Sequence, residues 1–311
     1  MLGNFAMKNI VVLCGAVSPE REVSINSGKA CLEALQVNFP NARLVVLDEN
    51  RVPAELNPKT DVIFPVIHGD YGEDGGVQRD LEVRGFAYAG CGVPASELCI
   101  DKSKTKALWL ANNVPTPRGV AFPRERVPAA KDLIAQLGDE IVIKPADKGS
   151  SVGLFLTHGE SELQAVLDGD LSASDLWLAE TRVFGRELTV GILNGNAMGI
   201  VEICPKVGVY DFKNKYTKGC TEYKFPAEID SATTDKIRAG AERIFALCGC
   251  RDFARIDVLL REDGSFVYLE VNTMPGLTGT SLLPKSASCV GLDFPALAKA
   301  MIVPALERAS C

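Results

Sequence analysis

The sequence has almost no histidine: His68 and His158 are the only two among 311 residues. Zinc-hydrolase motifs of the H-E-x-x-H kind are therefore excluded. It has no Cys-x-x-Cys either. The nearest approach is Cys248-Gly249-Cys250, so a structural zinc site has no support even though there are 10 cysteines. Those cysteines are scattered through a chain long enough to build its own core. They read as small core residues in a reducing cytosol, not as a disulfide framework. Basic charge is not in excess: 33 Lys and Arg stand against 40 Asp and Glu, a net charge of -7. That balance argues against nucleic acid or an anionic membrane surface as a partner. Uncharged apolar runs fall well short of the ~18 residues that a membrane span needs.

What is present is the balance of a globular protein, 47% apolar and 23% charged. The length points to about two domains, with one large or three small ones also open. Lys8 followed by the apolar residues 10–17 has some features of a short signal peptide. A first buried strand fits better, because a capped helix follows at once, and a cytoplasmic location is the expectation. Ser18 is placed to cap that helix, with Pro19 at its first position and Glu20 in the electropositive first turn.

Residues 44–47 and 62–67 are further buried-strand candidates, with helix-like segments between them. Alternating strands and helices predict a parallel sheet wound by right-handed crossovers, with ligands beyond the carboxyl ends of its strands. The segments at those ends are Ser18-Pro19-Glu20 and the glycine-rich run from His68 to Gly76. Glycines there would let the backbone approach a ligand, and plain polar turns are the alternative. No G-x-G-x-x-G follows the first strand, so a dinucleotide site is unsupported.

A helix over about residues 103–111 leads into a proline-rich connector. Residues 141–145 and 152–156 then read as two strands joined by Gly149-Ser150-Ser151, whose tip amides could close over phosphates. A Walker loop is absent. The same stretch, Gly149-Ser150-Ser151-Val152-Gly153, matches the G-x-S-x-G nucleophile elbow, which would make Ser151 a hydrolase nucleophile. Two features count against it: a strand-like run rather than a helix follows, and His158, the only downstream histidine, is too near.

Chemistry shows most clearly in the last third. Residues 253–260 and 265–271 are strand-like, and Asp263-Gly264 between them is a strong hairpin signal. A two-residue loop pairs Glu262 with Ser265, and a four-residue loop over 262–265 gives the same register. Asp257 then lies opposite Glu270 and Arg255 opposite Asn272, all on one face. Ile256, Val258, Leu269 and Val271 fall on the other, core-packed face. Opposed carboxylates repel unless a divalent cation joins them. Two carboxylates and an amide oxygen suit magnesium or manganese, which completes its shell with substrate phosphates. A solvated surface hairpin is the alternative.

At this point the chain resembles the D-alanine–D-alanine ligases of the ATP-grasp superfamily, nearly end to end. The segments that carry the resemblance begin with SPEREVSINSG from Ser18, HGDYGEDG from His68 and Asp101-Lys102. KPADKGSSVG from Lys144, GRELTVGIL from Gly185 and KYTKG from Lys215 follow, and FARIDVLL from Phe253 and EVNTMPGLTGTSLLPKSA from Glu270 complete the set. The resemblance implies an α/β ATP-grasp fold, α+β in its ATP-binding part. Its units would be an N-terminal parallel-sheet domain over 1–95, a small central domain over 96–183 and a C-terminal antiparallel-sheet domain over 184–311. It implies ligation of two D-alanines through an acylphosphate for peptidoglycan synthesis, with ATP, two Mg2+ or Mn2+ ions, and a homodimer. A D-alanine–D-lactate ligase or another carboxylate–amine ligase of this fold is the near alternative, and Tyr216 favours an amine nucleophile over it.

The same resemblance assigns residues. Lys102 and Lys144 would contact the ATP phosphates, with Ser151 and Lys215 also binding ATP, Glu180 and Val183 would line the adenine site, and Glu187 would meet the ribose. Asp257, Glu270 and Asn272 correspond to the metal ligands, in agreement with the hairpin. Glu20 would bind the first D-alanine, with His68 and Gly276 also on the substrate side, and Ser281 and Leu282 would hold the second. Tyr216, Ser150 and Glu20 would form a hydrogen-bond network, and Arg255 would stabilise the tetrahedral oxyanion. One departure is Cys14-Gly15 where the family usually has Gly-Gly, which would add a side chain near the substrate carboxylates.

Overall fold

β1 (Asn9–Gly15) is buried along nearly its whole length and forms the middle of a three-stranded parallel sheet. β2 (Arg43–Leu47) flanks it on one side and β3 (Asp61–Val66) on the other. The structure is a computed structural model that describes residues 8–149, 152–206 and 219–310. Strands covered on both faces need no polar alternation. Ile10, Val12, Phe64 and Val66 face one core with Leu35 of α1 (Arg21–Gln36), whereas Val11, Leu13, Ile63 and Ile67 face a second. The first core is closed by the far end of the chain. A C-terminal helix, Phe294–Arg308, lays Leu297, Met301, Ile302 and Leu306 against the N-terminal sheet.

The predicted cap of α1 is displaced. The helix begins at Arg21, so Glu20 lies at its N-cap position and not inside the first turn. Ser18 is occupied elsewhere: its Oγ accepts from the Glu20 amide at 3.1 Å and donates to the His68 carbonyl at 3.0 Å. Two short helices, α2 (Asp70–Glu73) and α3 (Gly76–Val83), follow β3.

α4 (Val93–Ile100) and α5 (Lys102–Ala111) come next, and Asp101 caps α5 by accepting from the amides of Ser103 and Lys104. A four-stranded antiparallel sheet contains β4 (Gly119–Pro123), β5 (Glu140–Pro145), β6 (Phe155–His158) and β7 (Leu176–Thr181), in the order β4-β7-β5-β6. α6 (Ala130–Leu137) and α7 (Gly159–Leu167) cover it through Leu133, Leu137, Leu163 and Leu167 around Trp177. The second strand expected at 152–156 starts at Phe155 instead. Val152 is still in the turn, its amide bonded to the Gly149 carbonyl at 3.2 Å.

The third sheet is antiparallel and five-stranded, in the order β10-β9-β8-β11-β12. Its strands are β8 (Arg186–Leu193), β9 (Asn196–Pro205), β10 (Thr221–Lys224), β11 (Phe253–Leu260) and β12 (Phe266–Asn272). α8 (Ser231–Leu247) packs on it, and so do Cys99, Trp109 and Val114. α9 (Leu282–Ser288) and the C-terminal helix, α10, complete the chain.

The β11–β12 register agrees with expectation at the chemistry and differs at the turn. Asp257 pairs with Glu270 and Arg255 with Asn272. The loop, however, has three residues: the Arg261 amide bonds the Ser265 carbonyl at 2.8 Å, and Gly264 closes the turn at φ +81°. This moves the ladder one residue, so that Val258 faces Tyr268. A bulge at Leu269 moves it back. The expected register was therefore reached by two offsets that cancel. The bulge also corrects the place of Leu269: Tyr268 takes the core position beside Val258, and Leu269 turns to the opposite face, where it lines a cleft.

The cysteines are core-like. All nine described ones are free thiols, and five of them are buried. No described helix is long and apolar enough to cross a membrane.

One ion pair ties the C-terminal helix to the remainder. Arg308 reaches both oxygens of Asp252, at 2.9 and 2.6 Å, and also donates to the Tyr88 carbonyl at 2.8 Å. Asp252 is buried and accepts from the Gly90 amide at 2.9 Å. Removing one partner of a buried pair costs about 3–5 kcal/mol, and Arg308 is 33% exposed, which moves the expected loss for Arg308→Ala to roughly 2–3 kcal/mol. The urea midpoint measures it, and an unchanged midpoint would remove this pair from the anchoring role.

Candidate active site

The loops after β1 and β3 meet, as a parallel sheet requires of its carboxyl ends. Ser18 links them, and Glu20, Ser27, His68 and Glu73 stand along one wall of a cavity of about 660 Å³. His68 is buried, with Nε2 3.3 Å from Ser27 Oγ and Nδ1 3.9 Å from Glu73 Oε1. Glu73 Oε1 also accepts from the Gly69 amide at 3.2 Å. The glycines here serve the backbone itself as much as any ligand. A Cβ on Gly72 would lie 1.9 Å from the Ile67 carbonyl oxygen, so only glycine allows α2 to turn back over the strand end.

The opposite wall comes from the five-stranded sheet and the segment after it. Arg255, Glu270, Asn272, Gly276, Ser281 and Leu282 all line the same cavity. Asn272 Oδ1 accepts from the Met274 amide at 3.1 Å, and Ser281 Oγ from the Thr278 amide at 3.1 Å. Ser281 occupies the N-cap position of α9.

A second cavity, of about 540 Å³, lies between the four- and five-stranded sheets. Val142, Leu154, Phe184, Leu259 and Leu269 give it apolar walls, and Lys144, Glu180, Val183, Glu187 and Asp257 are also on its lining. Lys102 and Glu270 belong to both cavities. Lys102 Nζ is 3.8 Å from Glu270 Oε2 and donates to the Lys148 carbonyl at 2.6 Å. The boundary between a polar chamber and an apolar-walled cleft is thus a cation beside a carboxylate.

Charge is closely matched around this boundary. The Arg255 guanidinium grips Asp257 through Nε and Nη2, each at 3.0 Å, and Thr189 Oγ1 donates to the same carboxylate at 2.6 Å. Burial pulls the Lys102 ammonium below the ordinary lysine range, against the pull of Glu270. Glu180 is buried and bonds two ammoniums, Lys106 and Lys144. Burial acts to raise its pKa, but Lys144 and Lys106 together outweigh that and hold the carboxyl below its usual value.

Among the described residues no group of three or more His, Cys, Asp or Glu side chains is placed to hold a metal ion. The expected set differs in kind: two carboxylates and one amide on adjacent strands. Its all-oxygen chemistry and the direct opposition of Asp257 and Glu270 fit a hard divalent cation.

These features agree with the comparisons to known proteins. Residues 108–303 match the family described as D-ala D-ala ligase C-terminus, and residues 40–91 match D-ala D-ala ligase N-terminus. The D-alanine–D-alanine ligase of Syntrophotalea carbinolica is 40% identical over 304 residues, 97% of each chain. That of an Anaeromyxobacter species is 38% identical, over 99% of this chain and 100% of the relative. The chain belongs to the D-alanine–D-alanine ligase family. Among solved structures, the Bacillus anthracis ligase complexed with ATP superposes with a TM-score of 0.84 at 27% identity, covering 97% of this chain and 98% of that one. The VanG D-Ala:D-Ser ligase of Enterococcus faecalis gives 0.83 at 28%, covering 95% and 98%. The fold is ATP-grasp.

Family membership sets aside the serine-hydrolase reading, and geometry agrees. β6, not a helix, is the element that follows Gly153, and His158 is exposed, with Nδ1 2.8 Å from Glu140. Ser150, Ser151, Lys215 and Tyr216 lie outside the described residues. Cys14 does not project toward the substrate chamber. It is fully buried against Gly28 of α1, and burial pushes its thiol up to about 11.

The sequence reading missed Lys106, Ser27 and Thr189. Lys106 had a signal: it stands one helical turn after Lys102 on α5, so both face the same way.

Glu180→Gln would leave the buried Lys106 ammonium and the half-buried Lys144 ammonium without their carboxylate, at about 3–5 kcal/mol. Because the folded pKa lies below the ordinary glutamate value of 4.5, this contribution is complete above that pH. It is lost as pH falls through the lower folded value. The stability gap between wild type and Glu180→Gln should therefore be constant near neutrality and close in acid. Urea titrations across that range decide it, and a gap that persists at the acid end would contradict the assignment.

Proposed function

We propose that the chain ligates two D-alanines to D-alanyl-D-alanine, forming ADP and phosphate, as a step in peptidoglycan precursor synthesis. The observation that carries this reading is the meeting of two cavities at Lys102 and Glu270. An apolar-walled cleft with Lys144, Glu180, Val183 and Glu187 suits a nucleotide, and its phosphates would point toward Lys102. The polar chamber beyond suits two small amino acids.

The donor carboxylate, near Glu20 and His68, attacks the γ-phosphorus of ATP, and ADP leaves. Lys102 and Lys144 neutralise charge on the phosphates, with Ser151 and Lys215 as further contacts. The acceptor, held at Gly276, Ser281 and Leu282, then attacks the acylphosphate through its free amine. Arg255 stabilises the tetrahedral oxyanion. Glu20, Ser150 and Tyr216 form the polar network through which the amine's proton leaves, and phosphate departs as the amide forms. Asp257, Glu270 and Asn272 would hold magnesium or manganese, which when bound supplies positive charge to the transferring phosphoryl group.

Mixing the enzyme with ATP and D-alanine should release one phosphate per dipeptide formed, with L-alanine inert. Phosphate release without D-alanine, or product only with D-lactate or D-serine as acceptor, would overturn the reading. Glu270→Gln should slow turnover at saturating magnesium by at least about a hundredfold, equivalent to ~2.7 kcal/mol of barrier, while the protein stays folded. A loss of only a few-fold would remove Glu270 from the metal set.

A further inference from the structure

Among the described residues, the substrate chamber is lined by three cations, Lys102, Arg255 and Lys285. Two of them face carboxylates of the protein: Lys102 stands beside Glu270 and Arg255 grips Asp257. Lys285 does not. No carboxylate among the described residues lies within ion-pair distance of it, and its ammonium sits instead over two aromatic rings. It is 4.7 Å from the centre of Tyr223 and 5.9 Å from that of Phe225. The side chain is half-buried, and that burial draws its pKa down with no anion opposing the shift. A cation withdrawn from water, held in place by ring faces and aimed into a cavity is arranged for an incoming anion.

Its position says which anion. Lys285 is one helical turn beyond Ser281, and its amide bonds the Ser281 carbonyl at 3.1 Å, so both side chains present to the chamber from one face of α9. On the functional reading above, on which this inference rests, that face receives the acceptor. The donor's carboxylate is consumed in the reaction, whereas the acceptor's carboxylate survives unchanged into the product. It needs a counter-charge throughout. We propose that Lys285 binds the carboxylate of the acceptor amino acid and selects acceptors that carry one.

A contact made equally in ground and transition states changes KM more than kcat. D-Alaninamide isolates the effect, because it has no carboxylate to phosphorylate and can serve only as acceptor. Given equal D-alanine and D-alaninamide with ATP, wild type should favour D-alanyl-D-alanine over its amide by about ten- to a hundredfold, the range of a charge-assisted hydrogen bond. Lys285→Met should raise the KM for the acceptor D-alanine by a similar factor, with kcat within about twofold, and should abolish the preference. Lys285→Arg should restore it. The product ratio, read by mass spectrometry, does not depend on how much enzyme is active, and Lys285→Gln provides a second neutral variant should Met fold poorly. Neutral variants that keep both the wild-type KM and the wild-type ratio would overturn the inference. A wild type that forms no dipeptide from D-alanine would instead overturn the functional reading.

Discussion

Asp257 and Glu270 face each other directly across an antiparallel ladder. Like charges directly opposite each other destabilise the pairing of two strands. Much of the centre of the molecule is organised to meet that repulsion. Arg255, two residues along the same strand, takes both oxygens of Asp257, and Thr189 donates from the neighbouring strand. Glu270 is left turned toward Lys102. Lys102 is fixed in turn by its neighbours: Asp101 caps its helix, and its own amide bonds the Ala146 carbonyl at 2.8 Å, just beyond the end of β5. One electrostatic constraint thus couples the five-stranded sheet to the four-stranded one through α5, and both cavities open at that junction.

The chemistry of the site was legible in the sequence because alternation along a strand is a local property. Arg255, Asp257, Glu270 and Asn272 sit on short elements with a strong turn signal between them, and period two places them on one face. The detail of the turn was not legible. A three-residue loop closed by Gly264 and a bulge at Leu269 each shift the ladder by one, and only their sum is visible in the pairing of Asp257 with Glu270. The bulge is not neutral in its effects: it turns Leu269 into the cleft between the four- and five-stranded sheets and Tyr268 into the core, where its hydroxyl donates to the Ile237 carbonyl at 2.9 Å.

What the sequence did not disclose is mostly long-range. Nothing local to residues 294–308 says that their apolar face covers the first strands of the chain, yet Leu297 and Met301 share a core with Ile10 and Phe64. Cys14 shows the same limit. Its place after the first strand suggested a side chain near substrate, but α1 returns close enough for Gly28 to enclose it. Lys106 was missed for another reason. Its helical spacing from Lys102 was readable, but its partner Glu180 lies on β7, and strand partners are set by topology rather than by spacing.

The similarity to both a D-alanine–D-alanine ligase and a D-Ala:D-Ser ligase, at TM-scores of 0.84 and 0.83, defines what the fold can and cannot decide. An ATP-grasp frame fixes the nucleotide cleft, the cations at its mouth and the path of phosphoryl transfer, because these steps are common to such acceptors. Choosing between acceptors of similar size requires only about 1–3 kcal/mol, the worth of one or two hydrogen bonds in a dry pocket. Differences of that size leave the backbone path unchanged and reside in individual side chains. Around the chamber proposed for the acceptor those side chains project from α9 and the segment that precedes it, where Ser281 is held by Thr278 and Lys285 is held over Tyr223. On the proposed reading, selectivity is therefore set on a wall separate from the Lys102–Glu270 junction. That separation allows acceptor preference to change in this fold without disturbing the charge balance on which phosphoryl transfer depends.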